Sequence, residues 1–226
     1  MPQVGTTMNM KKITIVTGHY GSGKTNFSAN LAMKLAKQNK KVTVVDLDIV
    51  NPYFRTADFT ELFEKHGIEL VAPMYANSNL DIPAISFDLE RIATEDGYLI
   101  VDVGGDDAGA IALGRYTEAF ARFTDNIDML YVINCYRYLT RTSEEALELM
   151  YEIEAASRMK HTGIVNNSNL SDETTVETIE NSTEFAKAVS EKAGLPIMYT
   201  AVPYGLECNV ENCIDVDIYV KKIWEA

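Results

Sequence analysis

Apolar residues along the chain follow two alternating periods. Ile13-Thr14-Ile15-Val16-Thr17 is short and β-branched and ends in a glycine-rich turn, the mark of a buried strand. From Lys24 the apolar residues Phe27, Leu31 and Leu35 recur at four-residue steps, with Ala29, Ala32 and Ala36 between them. That spacing predicts an amphipathic helix to about Gln38. Further strands are predicted at 42–45, 68–71, 98–103, 129–134, 163–165 and 196–202. Between them, helices are expected near 57–65, at 83–93 with Pro83 in the first turn, and at 108–123. Thr142 and Glu145 have capping-box spacing and predict a helix burying Leu147, Met150 and Ile153. Val176, Ile179, Ala186, Val189 and Ala193 mark another that closes at Gly194, and a last helix is expected from about Val210 to Trp224. Strands apolar on both faces, alternating with helices, imply an α/β fold: a mostly parallel sheet of about seven strands between two helical layers.

Composition narrows what this fold does. A length of 226 residues suits one α/β domain, expected over 12–226 behind a flexible leader at 1–11. Lys plus Arg is 20 against 33 Asp plus Glu, a formal net charge of −13. That balance argues against a protein that coats nucleic acid or anionic lipid, and leaves open a nucleotide site, which needs only a few local donors. No run approaches the ~20 apolar residues of a membrane span, so no stable membrane anchor is expected. The opening MPQVGTTMNMKK lacks the apolar core of a secretory signal. Cys135, Cys208 and Cys213 are odd in number and lack framework spacing, which fits a reducing compartment. A cytoplasmic location is the expectation.

Gly18-His19-Tyr20-Gly21-Ser22-Gly23-Lys24-Thr25 matches G-x-x-x-x-G-K-[ST] in full, after a strand and at the start of a helix. Such a loop curls its N–H groups inward around phosphate oxygens, and the helix N-terminus adds partial positive charge there. Gly18, Tyr20, Gly21, Ser22, Gly23, Lys24, Thr25 and Asn26 are therefore candidate nucleotide-binding residues. Lys24 is placed to neutralise the β/γ-phosphate oxygens and the Thr25 hydroxyl to ligate Mg²⁺. Two acidic motifs complete the pattern, Val44-Val45-Asp46-Leu47-Asp48 and Leu99-Ile100-Val101-Asp102-Val103-Gly104-Gly105. Each puts carboxylates at the end of an apolar strand, where ligands of parallel sheets gather. Asp46 and Asp48, two apart, point to one side of an extended chain. Gly105 stands in D-x-x-G spacing from Asp102, where its N–H could sense a γ-phosphate.

Together these motifs resemble the MinD/ParA/Mrp branch of P-loop ATPases, within the CobQ/CobB/MinD/ParA superfamily. Asp46-Leu47-Asp48 resembles the branch's D-x-D motif, and Asp48-Ile49 followed by Pro52 resembles its Mrp form. The resemblance implies a three-layer P-loop NTPase fold, ATP and Mg²⁺ as cofactors, and ATPase activity. It assigns catalytic roles to Lys24, Asp48 (orienting the attacking water) and Asp102, and the metal shell to Thr25, Asp46 and Asp102. Gly105 takes the switch-glycine position. Asn167, with Asn166 beside it, resembles the strand-end asparagine that reads adenine, and Val202-Pro203 the turn lining the base. Hydrolysis would drive loops 48–55 and 102–109 between two shapes read by a partner protein, and a homodimer is left open. The branch commonly has a second lysine after the first glycine, reaching a partner's nucleotide in dimers; this chain has His19 there. Arg55, in Asn51-Pro52-Tyr53-Phe54-Arg55, is a candidate substitute, and a solvated loop arginine is the competing reading. Two rival functions share the fold: a synthetase activating a small carboxylate substrate with ATP, and a nucleotide switch that hardly hydrolyses.

Other features read as structural. His66 and His161 stand singly, without metal-chelating spacing. Cys208 and Cys213 are spaced wider than a C-x-x-C cluster motif and read as free thiols. Tyr136, Arg137, Tyr138 and Arg141 form a small basic-aromatic cluster read as a solvated loop.

Overall fold

The computed structural model describes residues 10–48, 60–71, 97–105 and 107–219. Strand β1 (Ile13–Gly18) is buried along its whole length and occupies the centre of the sheet. Its alternate residues feed two separate cores: Ile13 and Ile15 enter one, Val16 the other. This is the two-sided burial that a β-branched run without polar alternation requires. Seven more strands flank it: β2 (Lys41–Leu47), β3 (Ile68–Val71), β4 (Gly97–Val103), β5 (Ile127–Ile133), β6 (Gly163–Asn166), β7 (Ile197–Pro203) and β8 (Cys213–Val216). Their order is β3-β2-β4-β1-β5-β6-β7-β8, with every neighbouring pair parallel.

One face of the sheet is covered by the Lys24–Lys37 helix, which buries Phe27, Leu31 and Leu35 against Val44, Ile100 and Val132. On the other face lie the Asp107–Gly114, Ser143–Ser157 and Thr183–Ala193 helices, contributing Leu113, Met150 and Val189 among others. The predicted capping box is present: Thr142 Oγ1 accepts from Glu145 N, and Glu145 Oε2 accepts from Thr142 N. The chain leaves β1 toward β2 on one side and returns to β5 on the other. The carboxyl ends of β1, β4 and β5 therefore meet where the strand order reverses, the position at which α/β sheets bind ligands.

Three expectations are corrected. No helix occupies the described part of 210–224; β8 pairs there with β7, Thr200 opposite Cys213. Its side chains alternate, Ile214 and Val216 buried and Cys213 and Asp215 exposed, the period of two that belongs to a half-buried strand. The helix expected at 108–123 breaks after Gly114 into a short turn at Thr117–Phe120 and a 3-10 stretch at Ala121–Asn126. The helix expected through 176–193 is two, Val176–Asn181 and Thr183–Ala193, divided where Ser182 Oγ donates to the Ile179 carbonyl. Of the helix expected near 57–65, residues 60–65 are helical. The helix expected at 83–93, the segment 49–59 with Arg55, and most of the leader lie outside the described residues.

Candidate functional site

The loop leaving β1 turns directly into the Lys24–Lys37 helix. Ser22 N donates to the His19 carbonyl (3.1 Å), and Phe27 N makes the first helical bond to the Gly23 carbonyl (3.0 Å). Gly23 caps this helix at φ 91, and a side chain there would begin 2.2 Å from Asn167 Nδ2. Only glycine satisfies both the left-handed backbone and that approach. Asn167 closes the contact by donating to the Ser22 carbonyl at 2.7 Å, which ties the end of β6 to the loop. Lys24 is 2% exposed and folds back so that Nζ donates to the His19 carbonyl (3.0 Å). Among the described residues, Ser22 Oγ and His19 Nδ1 are buried without hydrogen-bond partners. Burial holds the His19 pKa below 6.5, and the Lys24 charge adds to the effect, so the residue at this position is neutral at pH 7.

Asp46 on β2 and Asp102 on β4 are register partners, so their side chains leave the sheet on the same face, under the start of the Lys24–Lys37 helix. Thr25 Oγ1 donates to Asp102 Oδ2 at 2.6 Å, and Ser28 Oγ donates to Asp102 Oδ1 at 3.1 Å. Asp48 follows the last residue of β2, and its N–H donates to Asp46 Oδ1 (2.8 Å), a turn that fixes the Asp46 carboxyl group. Asp46, Asp48 and Asp102 are 6%, 3% and 4% exposed, three buried acids at the carboxyl ends of the neighbouring strands β2 and β4. A hydroxyl among buried carboxylates is the oxygen set a hard divalent cation uses. Among the described residues no group of three or more His, Cys, Asp or Glu forms a metal cage of its own.

Gly105 packs directly on the phosphate loop: a side chain there would begin 2.6 Å from Tyr20 N and 2.7 Å from Lys24 Nζ. The segment after Asp102 therefore touches the loop that Lys24 spans. Gly18 ends β1, Tyr20 stands exposed at the mouth, and Gly21 lies beside it. Pro203 ends β7 opposite Val216. The side chain of Asn26 turns away from the loop, donating to the Asp217 carbonyl (2.9 Å) and accepting from Tyr219 N (2.8 Å). Asn166 is likewise engaged, donating to Ser182 Oγ at 2.9 Å. Cys135, Cys208 and Cys213 are free thiols, and burial pushes those of Cys208 and Cys213 up.

Two features were not legible in the sequence. Ser28 lies one helical turn beyond Thr25, a spacing that could have flagged it as a second hydroxyl on the same carboxylate. The other is a buried chain beneath the phosphate loop. Thr17 Oγ1 lies 2.7 Å from His161 Nε2, and His161 Nδ1 lies 3.1 Å from Glu154 Oε1. Nothing local links residues 17, 154 and 161; the fold alone joins them. Burial depresses the His161 pKa despite the adjacent Glu154. Burial pushes the Glu154 carboxyl up, but hydrogen bonds from His161 and Lys160 outweigh it and hold the pKa at about 2. Both folded values lie below the ordinary ones, so the unfolded chain takes up protons first as pH falls. Stability is then lost from pH 6.5 downward through His161, and from 4.5 toward 2 through Glu154. Melting temperatures of the wild type are expected to fall over this range. The decline between pH 6.5 and 5 should be shallower in His161→Gln, and equal slopes would refute the assignment.

A parallel sheet whose central strand runs through G-x-x-x-x-G-K-[ST] into a helix, beside acids at the ends of β2 and β4, defines a P-loop NTPase. The family model of the CobQ/CobB/MinD/ParA nucleotide binding domain matches residues 13–197, and the chain belongs to that family. It is 33% identical over 81 residues to the tyrosine-protein kinase YwqD of Bacillus subtilis, covering 32% of this chain and 34% of that protein. It is 60% identical over 37 residues to the uncharacterized ATP-binding protein MJ0547 of Methanocaldococcus jannaschii, 16% of this chain and 14% of that one. The chain thus matches about a third or less of the length of these curated relatives. Among solved structures, the cell division protein FtsY of Thermotoga maritima superposes with a TM-score of 0.58 at 21% identity, over 85% of this chain and 62% of that one. The signal recognition particle 54 kDa protein of Aeropyrum pernix, solved with GDP, gives 0.55 at 18% identity, over 88% and 43%. At such identities these two likenesses concern the fold.

Proposed function

We propose that residues 12–226 act as one nucleotide-binding domain that hydrolyses ATP with Mg²⁺ and passes the change to a partner protein in the cytoplasm. The observation that carries this reading is the Thr25–Asp102 hydrogen bond of 2.6 Å. It joins the hydroxyl of the phosphate loop to the acid of β4, the pair that would hold the metal together with Asp46. Bound Mg²⁺ would supply charge neutralisation on the phosphoryl oxygens. The chain's own groups do the rest. The main-chain N–H groups of Gly21 to Asn26 hold the phosphates, Asn26 through its amide alone because its side chain is engaged elsewhere. Lys24 exchanges the His19 carbonyl for a phosphate oxygen, and Asp48 orients the attacking water. Gly105, resting against Tyr20 and Lys24, moves when the γ-phosphoryl group is present and carries the motion into the Asp107–Gly114 helix. Asn167 and Pro203 would flank the base.

ATP rather than GTP is favoured by the MJ0547 likeness, a protein described as ATP-binding, over fold neighbours solved with GDP. Titration calorimetry with Mg²⁺ separates them: ATP is expected to bind and GTP to bind more weakly. Absence of heat with either nucleotide would refute the reading. Asp48→Asn should keep ATP affinity and lose turnover; wild-type turnover in that variant would remove Asp48 from the reaction.

A further inference from the structure

The loop that follows β5 is held closely from several sides. Cys135 N donates to Ser168 Oγ (3.1 Å), Tyr136 N to Asn134 Oδ1 (3.0 Å) and Tyr136 Oη to the Thr178 carbonyl (2.7 Å). Arg137 N and Thr140 Oγ1 both donate to the Asn134 carbonyl, at 3.2 and 3.0 Å. A backbone so held presents the Arg137 side chain in a defined place, and that place is the phosphate loop. A side chain built on Gly21 would begin 3.9 Å from Arg137 Nε and 4.0 Å from its Cδ, and among the described residues no other atom beyond the immediate chain lies within 4 Å.

Arg137 is exposed, and among the described residues its guanidinium has no ion pair or hydrogen bond, in a chain of net charge −13. Here it stands over the loop from which Lys24 reaches, on a neighbouring strand end. The other basic side chain of the loop, His19, is neutral at pH 7 and brings no charge. A triphosphate seated on the loop carries several negative charges against one lysine. A planar guanidinium with paired N–H donors matches phosphate oxygens better than an ammonium does. Arg141, by contrast, lies over the Tyr138 ring at 5.8 Å, which occupies its guanidinium face.

We propose that Arg137 is a phosphate-binding residue of this site, acting within the same chain as the second cation over the phosphate loop. The proposal rests on the nucleotide reading above, and the test keeps the two apart. Calorimetric titration with Mg²⁺ would compare ADP, a non-hydrolysable ATP analogue and inorganic tripolyphosphate on the wild type, Arg137→Ala, Arg137→Lys and Arg141→Ala. Arg137→Ala is expected to weaken all three ligands by about tenfold, the deficit shrinking as salt is raised. Arg137→Lys should recover part of the loss, and Arg141→Ala should match the wild type. No melting change is expected, because the side chain is exposed. A wild type that binds no nucleotide overturns the site itself. A wild type that binds, with Arg137→Ala within twofold of it, overturns the role of Arg137 alone. So does a loss confined to the nucleotides and absent with tripolyphosphate, which would mark a contact to the nucleoside.

Discussion

Asp102→Ala is expected to lower Mg²⁺-dependent nucleotide turnover by about a hundredfold or more, and to lower the melting temperature by several degrees. The two effects have one origin. The carboxylate accepts the buried hydroxyls of Thr25 and Ser28, at 2.6 and 3.1 Å, and so fastens the first turn of the Lys24–Lys37 helix to β4. Removing it leaves both hydroxyls without that acceptor, at a cost of about 1–3 kcal/mol for each buried group. For a chain of this size roughly 2–4 °C of melting temperature accompanies each kcal/mol. Asp102→Asn separates the contributions, since an amide oxygen still accepts a hydroxyl but carries no charge toward a cation. It should recover much of the stability and little of the turnover. Thermal denaturation and a coupled phosphate assay on both variants check this. Wild-type turnover in Asp102→Ala would show that the acid of β4 has a scaffolding role only.

The second large effect is expected at Gly105. Gly105→Ala should weaken binding of a triphosphate far more than of a diphosphate and should slow turnover by about a hundredfold, with the fold retained. The added carbon would stand 2.6 Å from Tyr20 N and 2.7 Å from Tyr20 Cα. Lys24 Nζ, equally near, is the tip of a flexible chain and can move aside; the Tyr20 backbone cannot. The segment after β4 would have to retreat from the phosphate loop, and any contact its main chain makes to a γ-phosphoryl group would go with it. Comparative titration with ADP and a non-hydrolysable triphosphate reads this directly. Equal losses for both nucleotides would mean that Gly105 acts by packing, without sensing the terminal phosphate.

The motifs that define the site were legible because each is local. A phosphate loop needs its glycines, lysine and hydroxyl in one stretch, since successive N–H groups must converge on one anion. Asp46, Asp48 and Asp102 announced themselves by ending apolar strands. The alternation of strand and helix similarly indicated the parallel sheet, and the capping box at Thr142 is present where its spacing placed it. What failed were the breaks inside the helices expected at 108–123 and 176–193, and a four-residue strand read into a longer helix. Cys213–Val216 is a strand because the edge of β7 offers unpaired backbone groups and Ile214 and Val216 find a buried face there. None of that is encoded within four residues.

Residue chemistry by itself determined the phosphate-loop motif, the family and the places along the chain of seven of the described strands and several of the helices. Tertiary structure alone decided which distant groups share an environment. It brought Ser28 to Asp102, Asn167 against Gly23, His161 between Thr17 and Glu154, and Arg137 onto Gly21. It also turned the side chain of Asn26 from the loop toward Asp217 and Tyr219. The reason is physical. Hydrophobic periodicity fixes what each segment buries, whereas the partners of a polar group are set by strand order and crossover, which are properties of the assembled sheet.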